Sequence, residues 1–322
     1  MSQETEIVLG QRQMRRRLSL WRGLAVVGFA IAVGALVFGS NDVSRLVAGS
    51  HIARVAIEGT IMEDRQQLEM LRKIADDDNV KGMILFVNSP GGTTAGGEAL
   101  FEELRKIAEK KPLVAQFGTV AASAGYIVGL ATDHIVARGN TITGSVGVIV
   151  QWPEVSSLLD KLGVKMNEIK SGELKATPSP FQPADVAGLK VMQDMIDEGY
   201  RWFSGLVEAR RGIRIVDVPG LGQGRVFSGR EALSHKLVDA IGGEPEARRW
   251  LEDTKGVEKD LKIIDWKPAE ESAWGVTASI PDVARGLLGE GAGRLAELAT
   301  RNRGLGTLGL DGMLSVWHPS EN

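Results

Sequence analysis

The sequence predicts an α/β protein. Short apolar runs alternate with amphipathic stretches from Ile52 onward, glycine pairs and prolines punctuate the junctions, and one long helical period stands near the middle. Buried apolar strands alternating with helices imply parallel strands covered on both faces. Strands are expected at 52–57, 82–88, 113–117, 135–137, 146–150 and 164–169. Helices are expected at 65–76, 94–110, 123–131, 153–161, 184–211 and 229–236. In the 184–211 helix, Val186, Leu189, Met192, Met195, Tyr200, Phe203 and Val207 recur at three-to-five spacing, and Gly212 follows as a stop. The core is expected to cover about 52–250. Residues 251–322, richer in scattered charge and then in Gly, Leu and Arg, read as a partly flexible tail.

The composition is that of a globular protein. Of 322 residues, 43% are hydrophobic and 25% charged, which excludes a mainly disordered chain. A net charge of −3 argues against nucleic acid as the main partner. Cys 0 excludes disulfides, iron–sulfur centres and cysteine nucleophiles. No H-E-x-x-H occurs, and the acidic run Asp76-Asp77-Asp78 reads as a solvated turn, so neither metal nor other cofactor is expected.

Residues 23–40 carry no charge, and 18 helical residues span about 27 Å against a hydrocarbon core of ~30 Å. Arg12, Arg15, Arg16, Arg17 and Arg22 precede them, whereas residues 41–58 hold only Arg45 and Arg54. The positive-inside rule then predicts a cytoplasmic segment 1–22, a single transmembrane helix 23–40, a linker 41–51 and an exported domain beyond it. The alternatives are a cleaved signal peptide, for which Val37-Phe38-Gly39 is a poor cleavage site, and a buried helix of a soluble protein.

Four features carry candidate chemistry. Asn88-Ser89-Pro90-Gly91-Gly92-Thr93-Thr94 lies between a strand and a helix. Its glycines let backbone N–H groups approach a ligand, and the helix N-terminus adds positive potential, so it suits an oxyanion; taken alone it is equally a tight turn. Gly118-Thr119-Val120-Ala121-Ala122-Ser123-Ala124-Gly125-Tyr126 crowds a serine with small residues at a helix start. That setting suits a nucleophile, although a small-residue helix contact has the same composition. Thr143-Gly144-Ser145-Val146-Gly147-Val148 alone is a turn. Ile169 to Pro178 holds Lys175 in an extended, proline-rich stretch, where a lysine is ordinarily a solvated charge.

A serine hydrolase needs a base. His51, His134, His235 and His318 are dispersed, and none lies in a loop rich in small residues. Lysine replaces histidine only when burial among apolar groups favours its neutral amine. Such an assignment requires Lys175 buried beside Ser123.

Ser-Pro-Gly-Gly after an apolar strand, Ala-Ala-Ser-Ala-Gly-Tyr, Thr-Gly-Ser-Val-Gly-Val-Ile and Lys-Ser-Gly-x-x-Lys occur in this order. Over roughly 52–250, including Gly224 to Gly229 and Leu237-Val238-Asp239, the chain resembles the short form of the signal peptide peptidase A family. These are membrane-anchored serine proteases with a fold akin to Clp protease and the crotonases. The resemblance implies Ser123 as nucleophile, Lys175 as general base and Ser145 as the hydroxyl holding the lysine amine. It implies an oxyanion hole from the N–H groups of Gly92 and Ala124, with Gly91 shaping the turn. It also implies a ring-like homo-oligomer with Ser and Lys contributed by neighbouring subunits, signal-peptide remnants and other apolar peptides as substrates, and a site on the exported side of the inner membrane. Two departures stand out: Ala124 replaces a frequent Gly, and the 91–113 segment is slightly short. The competing readings are a crotonase-type acyl-coenzyme A enzyme and a non-catalytic membrane-tethered scaffold.

Overall fold

The computed structural model describes Trp21, residues 49–268 and the backbone of Leu314–Val316. The chain divides into two compact units. One combines Ser50–Ala269 with Asp311–Asn322; the other, Met1–Gly49 with Glu270–Leu310, lies almost wholly outside the described residues. The expected anchor at 23–40 falls there. Among the described residues no helix is long and apolar enough to cross a membrane.

The sheet is built on β1 (His51–Ile61), β2 (Val80–Thr93) and β3 (Leu113–Ala122), which pair in parallel. β3 is forked. Its first half, Val114–Phe117, pairs with β4 (His134–Ala137), and its last residues, Val120–Ala122, pair with β5 (Ile142–Gly144). β6 (Val226–Ser228) runs antiparallel to β5, and β7 (Ala240–Ile241) extends β4. β8 (Lys262–Trp266) runs parallel to β1, and β9 (Leu314–Val316) lies antiparallel to the end of β2.

Side chains alternate across these strands, and the two faces bury different sets. Ala53, Val55, Met83, Leu85, Leu113, Ala115 and Phe117 enter the larger core. Ile52, Ile84, Val114 and Val136 point the other way and pack with Ala247, Leu251 and Val257. The continuous apolar strands thus follow from cover on both sides, as expected of parallel sheets.

The larger core is roofed by α1 (Arg65–Asp76), α2 (Thr94–Lys110), α3 (Ala124–Leu130) and the C-terminal half of α5 (Val186–Arg211). Asp64 caps α1 by accepting from the Gln66 and Gln67 amides at 2.8 and 3.2 Å. Thr93 caps α2 through Gly96 at 3.1 Å. Asp185 caps α5 through Gly188 at 2.7 Å, and Gly212 closes it in the left-handed conformation at φ 62°. Shorter helices α4 (Ser156–Lys161), α6 (Gly229–Ser234) and α7 (Glu244–Arg249) complete the fold.

Four expectations change. The apolar run 146–150 is not a strand: Ser145 adopts φ 52°, its amide donates to the Arg225 carbonyl at 2.9 Å, and the chain turns off the sheet, leaving Ile149 exposed. Residues 164–169 form no strand either, and Val164, Met166 and Ile169 face solvent. The stripe on α5 is half covered: Phe203 and Val207 are buried, whereas Val186, Leu189 and Met195 are exposed. Finally, the folded core expected to close near residue 250 continues through β8, where Trp266 is buried against His51.

Candidate active site

The glycine loop is the end of β2. Ser89 is buried, and its hydroxyl accepts from the Gly91 amide at 3.1 Å, fixing the turn in which Gly91 takes φ 118°. Gly92 is required by packing. A Cβ there would lie 1.8 Å from the Ile61 carbonyl oxygen, because Ile61 of β1 pairs directly with it. Thr93 then caps α2, so only the cap residue separates the helix N-terminus, with its partial positive charge, from the glycines.

Ser123 stands at the junction of β3 and α3 with φ 58° and ψ −121°. That conformation is sparsely populated for a residue with a side chain and costs of order 1–3 kcal/mol. Its neighbours hold it there. The Ser123 amide donates to the Gly144 carbonyl at 2.9 Å, and its own carbonyl accepts from Tyr126 and Ile127 at the start of α3. Ala124, as the first helical residue, has an amide without an intrahelical acceptor. Gly125 is tight as well, since a Cβ there would meet the Ser89 carbonyl oxygen at 2.8 Å.

The structure therefore brings three of the four predicted features together. Ser89 pairs with Ala121 across β2 and β3, and Ala122 pairs with Gly144 across β3 and β5. Gly91, Gly92, Ser123, Ala124 and Ser145 thus lie on neighbouring strand ends. Ser123 and Ser145 are both buried and both have positive φ.

Lys175 is not part of this cluster within the single chain. It lies in a turn closed by its own amide donating to Gly172 at 3.1 Å, and its side chain is exposed. The burial beside Ser123 that a lysine base requires is not supplied by the described residues of this chain.

Within the candidate motifs, several residues have positioning roles that the sequence reading did not assign. Asn88 Oδ1 accepts from the Thr119 and Val120 amides at 3.1 and 3.3 Å, tying the glycine loop to the strand that delivers Ser123. The Thr143 hydroxyl donates to the Ala121 carbonyl at 2.7 Å. Tyr126 is fully buried and donates to the Leu237 carbonyl at 2.8 Å; burial pushes its phenol above the ordinary range. An asparagine ending an apolar strand was the one available signal, and its partners lie some thirty residues away. Among the described residues no group of three or more His, Asp or Glu side chains is placed to hold a metal.

A putative protease of Synechocystis is 33% identical over 215 residues, covering 66% of this chain and 78% of the relative. The model of peptidase family S49 matches residues 105–258. The chain belongs to peptidase family S49, the signal peptide peptidase A family. This S49 protein is a serine-type peptidase. A putative signal peptide peptidase SppA of Enterococcus faecium is 32% identical over 73% of this chain and 74% of its own length. Protease 4 of Haemophilus influenzae is 35% identical over 67% of this chain, which spans only 36% of that longer protein.

Proposed function

We propose that this S49 member is a membrane-anchored endopeptidase that cleaves apolar peptides, signal-peptide remnants among them, through Ser123 and Lys175. The observation that carries the reading is Ser123 itself. A buried serine in a strained conformation sits at a helix N-terminus, on strand ends shared with a two-glycine loop. A serine needed only for packing has no use for that strain.

The chemistry follows from these positions. Ser123 Oγ attacks the peptide carbonyl carbon while the Lys175 amine takes the hydroxyl proton. The Gly92 and Ala124 amides receive the developing oxyanion. Collapse breaks the C–N bond, and the lysine returns its proton to the leaving amine. Water, deprotonated by the same amine, then hydrolyses the acyl-serine to free the acid and regenerate Ser123. Ser145 is assigned to orient the amine, and Gly91 to shape the hole.

The exposure of Lys175 favours a site shared between subunits. The segment around it carries an unusual density of uncovered apolar side chains: Leu158, Leu162, Ile169, Leu174 and Val186 are all more than half exposed. Large contiguous apolar exposure marks an association surface. We assign this segment to packing on a neighbouring copy, in a ring-like homo-oligomer, which would bury Lys175 and bring it to the neighbour's Ser123. Residues 23–40 are assigned as the anchor and 1–22 as the cytoplasmic end, with the α/β unit, read as Clp protease/crotonase-like, on the exported side of the inner membrane.

A fluorophosphonate probe tests the reading. The adduct is expected on Ser123 by peptide mass spectrometry, and Ser123→Ala should abolish both labelling and peptidase activity. Labelling at another serine, or full activity in Ser123→Ala, overturns it.

A further inference from the structure

The Lys175 side chain is exposed, yet the backbone that carries it is closely held. Ala176 adopts φ 57°, in the left-handed region that a residue with a side chain seldom enters. Thr177 follows, and its hydroxyl donates to Asp185 Oδ2. The other oxygen of that carboxylate, Oδ1, accepts the Gly188 amide at 2.7 Å and so caps α5. The hydroxyl first, and then the amide, hold the Asp185 carboxyl below the usual carboxylate range, so both oxygens accept at neutral pH. Gly188 is buried, and a Cβ there would lie 2.4 Å from Thr177 Oγ1. The first turn of α5 therefore has room for Thr177 only because residue 188 lacks a side chain. A helix cap needs one carboxylate oxygen; here the second is committed to the loop of the lysine.

The clamp ties that loop to a stiff element. α5 is 26 residues long, with Asp185 as its cap at one end and Phe203 and Val207 buried in the larger core toward the other. Three residues beyond Thr177, the Pro180 carbonyl accepts the Val155 amide at 2.8 Å, at the start of α4. We infer that Thr177 and Asp185 are positioning residues for Lys175: their hydrogen bond fixes the turn at Ala176 to the start of α5 and sets where the amine projects. This rests on the peptidase reading, since it takes Lys175 as the base that serves a neighbouring Ser123.

Physical economy favours such a clamp. A loop that had to be ordered as subunits meet would subtract that ordering from the free energy of association. A general base must also come within hydrogen-bond reach of the proton it takes, and a misplacement of about 1 Å costs about 10²-fold in rate.

The test uses the full chain in its assembled form. Thr177→Val removes the hydroxyl at nearly constant volume, and Thr177→Ser keeps it. Asp185→Ser keeps a cap for the Gly188 amide but is too short to hold Thr177 as well. On a fluorogenic peptide, Thr177→Val and Asp185→Ser are expected to lose about ten- to hundredfold in kcat with KM within about twofold. Thr177→Ser should return to within about threefold of the parent. Exchange of the Lys175 amide, bonded to Gly172, should rise at least about fivefold in Thr177→Val. Parental kcat in both Thr177→Val and Asp185→Ser, while Lys175→Ala is inactive, overturns the clamp and leaves the peptidase reading standing. Loss of assembly together with activity assigns the pair to subunit packing and overturns it as well. Parental turnover in Lys175→Ala defeats the peptidase reading itself. If every form is inactive, unchanged exchange at Lys175 overturns the ordering of the loop by Thr177, and faster exchange supports it.

Discussion

Gly92→Ala separates the glycine loop's geometric role from that of a generic turn. A Cβ at residue 92 would sit 1.8 Å from the Ile61 carbonyl oxygen and 2.5 Å from its carbonyl carbon and amide nitrogen. All three are backbone atoms in a strand pair, so no rotamer change relieves the clash. Carbon reaches comfortable contact only at roughly 3.5 Å, so the β1 and β2 ends must part by more than about 1 Å. An oxyanion donor works at about 2.7–3.1 Å, and losing one costs about 10²–10³ in kcat, or about 2.7–4 kcal/mol. Overpacking adds roughly 1–3 kcal/mol of lost stability. Turnover of a fluorogenic peptide and the urea midpoint give the two effects separately. Gly205→Ala is the control. Nothing lies within 4 Å of its Cβ position on the exposed face of α5, so it should gain about 0.5–1 kcal/mol with kcat unchanged. Gly92→Ala turning over within threefold of the parent would refute the assignment of the Gly92 amide to the oxyanion hole.

Further expectations follow from the same physics. Lys175→Ala and Lys175→Arg should both abolish turnover, the second because a guanidinium stays protonated. Because Lys175 is exposed within the single chain, each dissociated chain should unfold within about 0.5 kcal/mol of the parent by urea titration, and lost stability there would argue for a structural lysine instead. Glu103 is nearly buried. Burial alone would raise its carboxyl, but Arg72 and Lys106, each at 3.0 Å, overcome that and hold it below the usual carboxylate range. Its contribution is therefore present above the unfolded value near ~4.3 and lost as pH falls through the folded one. Glu103→Gln should lower stability by about 0.5–1 kcal/mol at pH 7, because Arg72 and Lys106 are themselves well exposed, and flatten the acid limb of urea midpoint against pH; an unchanged limb contradicts this. His134, stacked on Trp250 at 4.9 Å, is held below the usual histidine range by burial, against the opposing pull of Asp239. The fold thus favours its neutral form, and stability should fall as pH drops below ~6.5. His134→Gln should remove that part of the slope, and a slope equal to the parent's would contradict it.

The sequence pattern located most helices because their burial is local in period. The stripe Leu68, Leu71 and Ile74 places α1, and the apolar runs place β1 to β4. Pattern fails where a partner decides the outcome. Residues 146–150 are as apolar as any strand, yet the turn at Ser145 removes them from the sheet. β8 escaped because only Ile263, Ile264 and Trp266 mark it, interrupted by the charges of Lys262 and Asp265, and it pairs with β1 some two hundred residues away. The glycine loop and Ser123 were legible because close backbone approach demands small residues in sequence order. The Asn88 clamp and the pairing of β9 with β2 were not, because they join segments distant in sequence.

Subunit mixing tests the shared Ser123–Lys175 site most directly. Ser123→Ala and Lys175→Ala chains, each folded and each inactive alone, are co-expressed with different affinity tags and purified as a mixed assembly. Recovery of peptidase activity, with the probe on Ser123 of the Lys175→Ala chains, is the predicted result. A mixed assembly that holds both chains and stays inactive contradicts a lysine supplied across the subunit boundary.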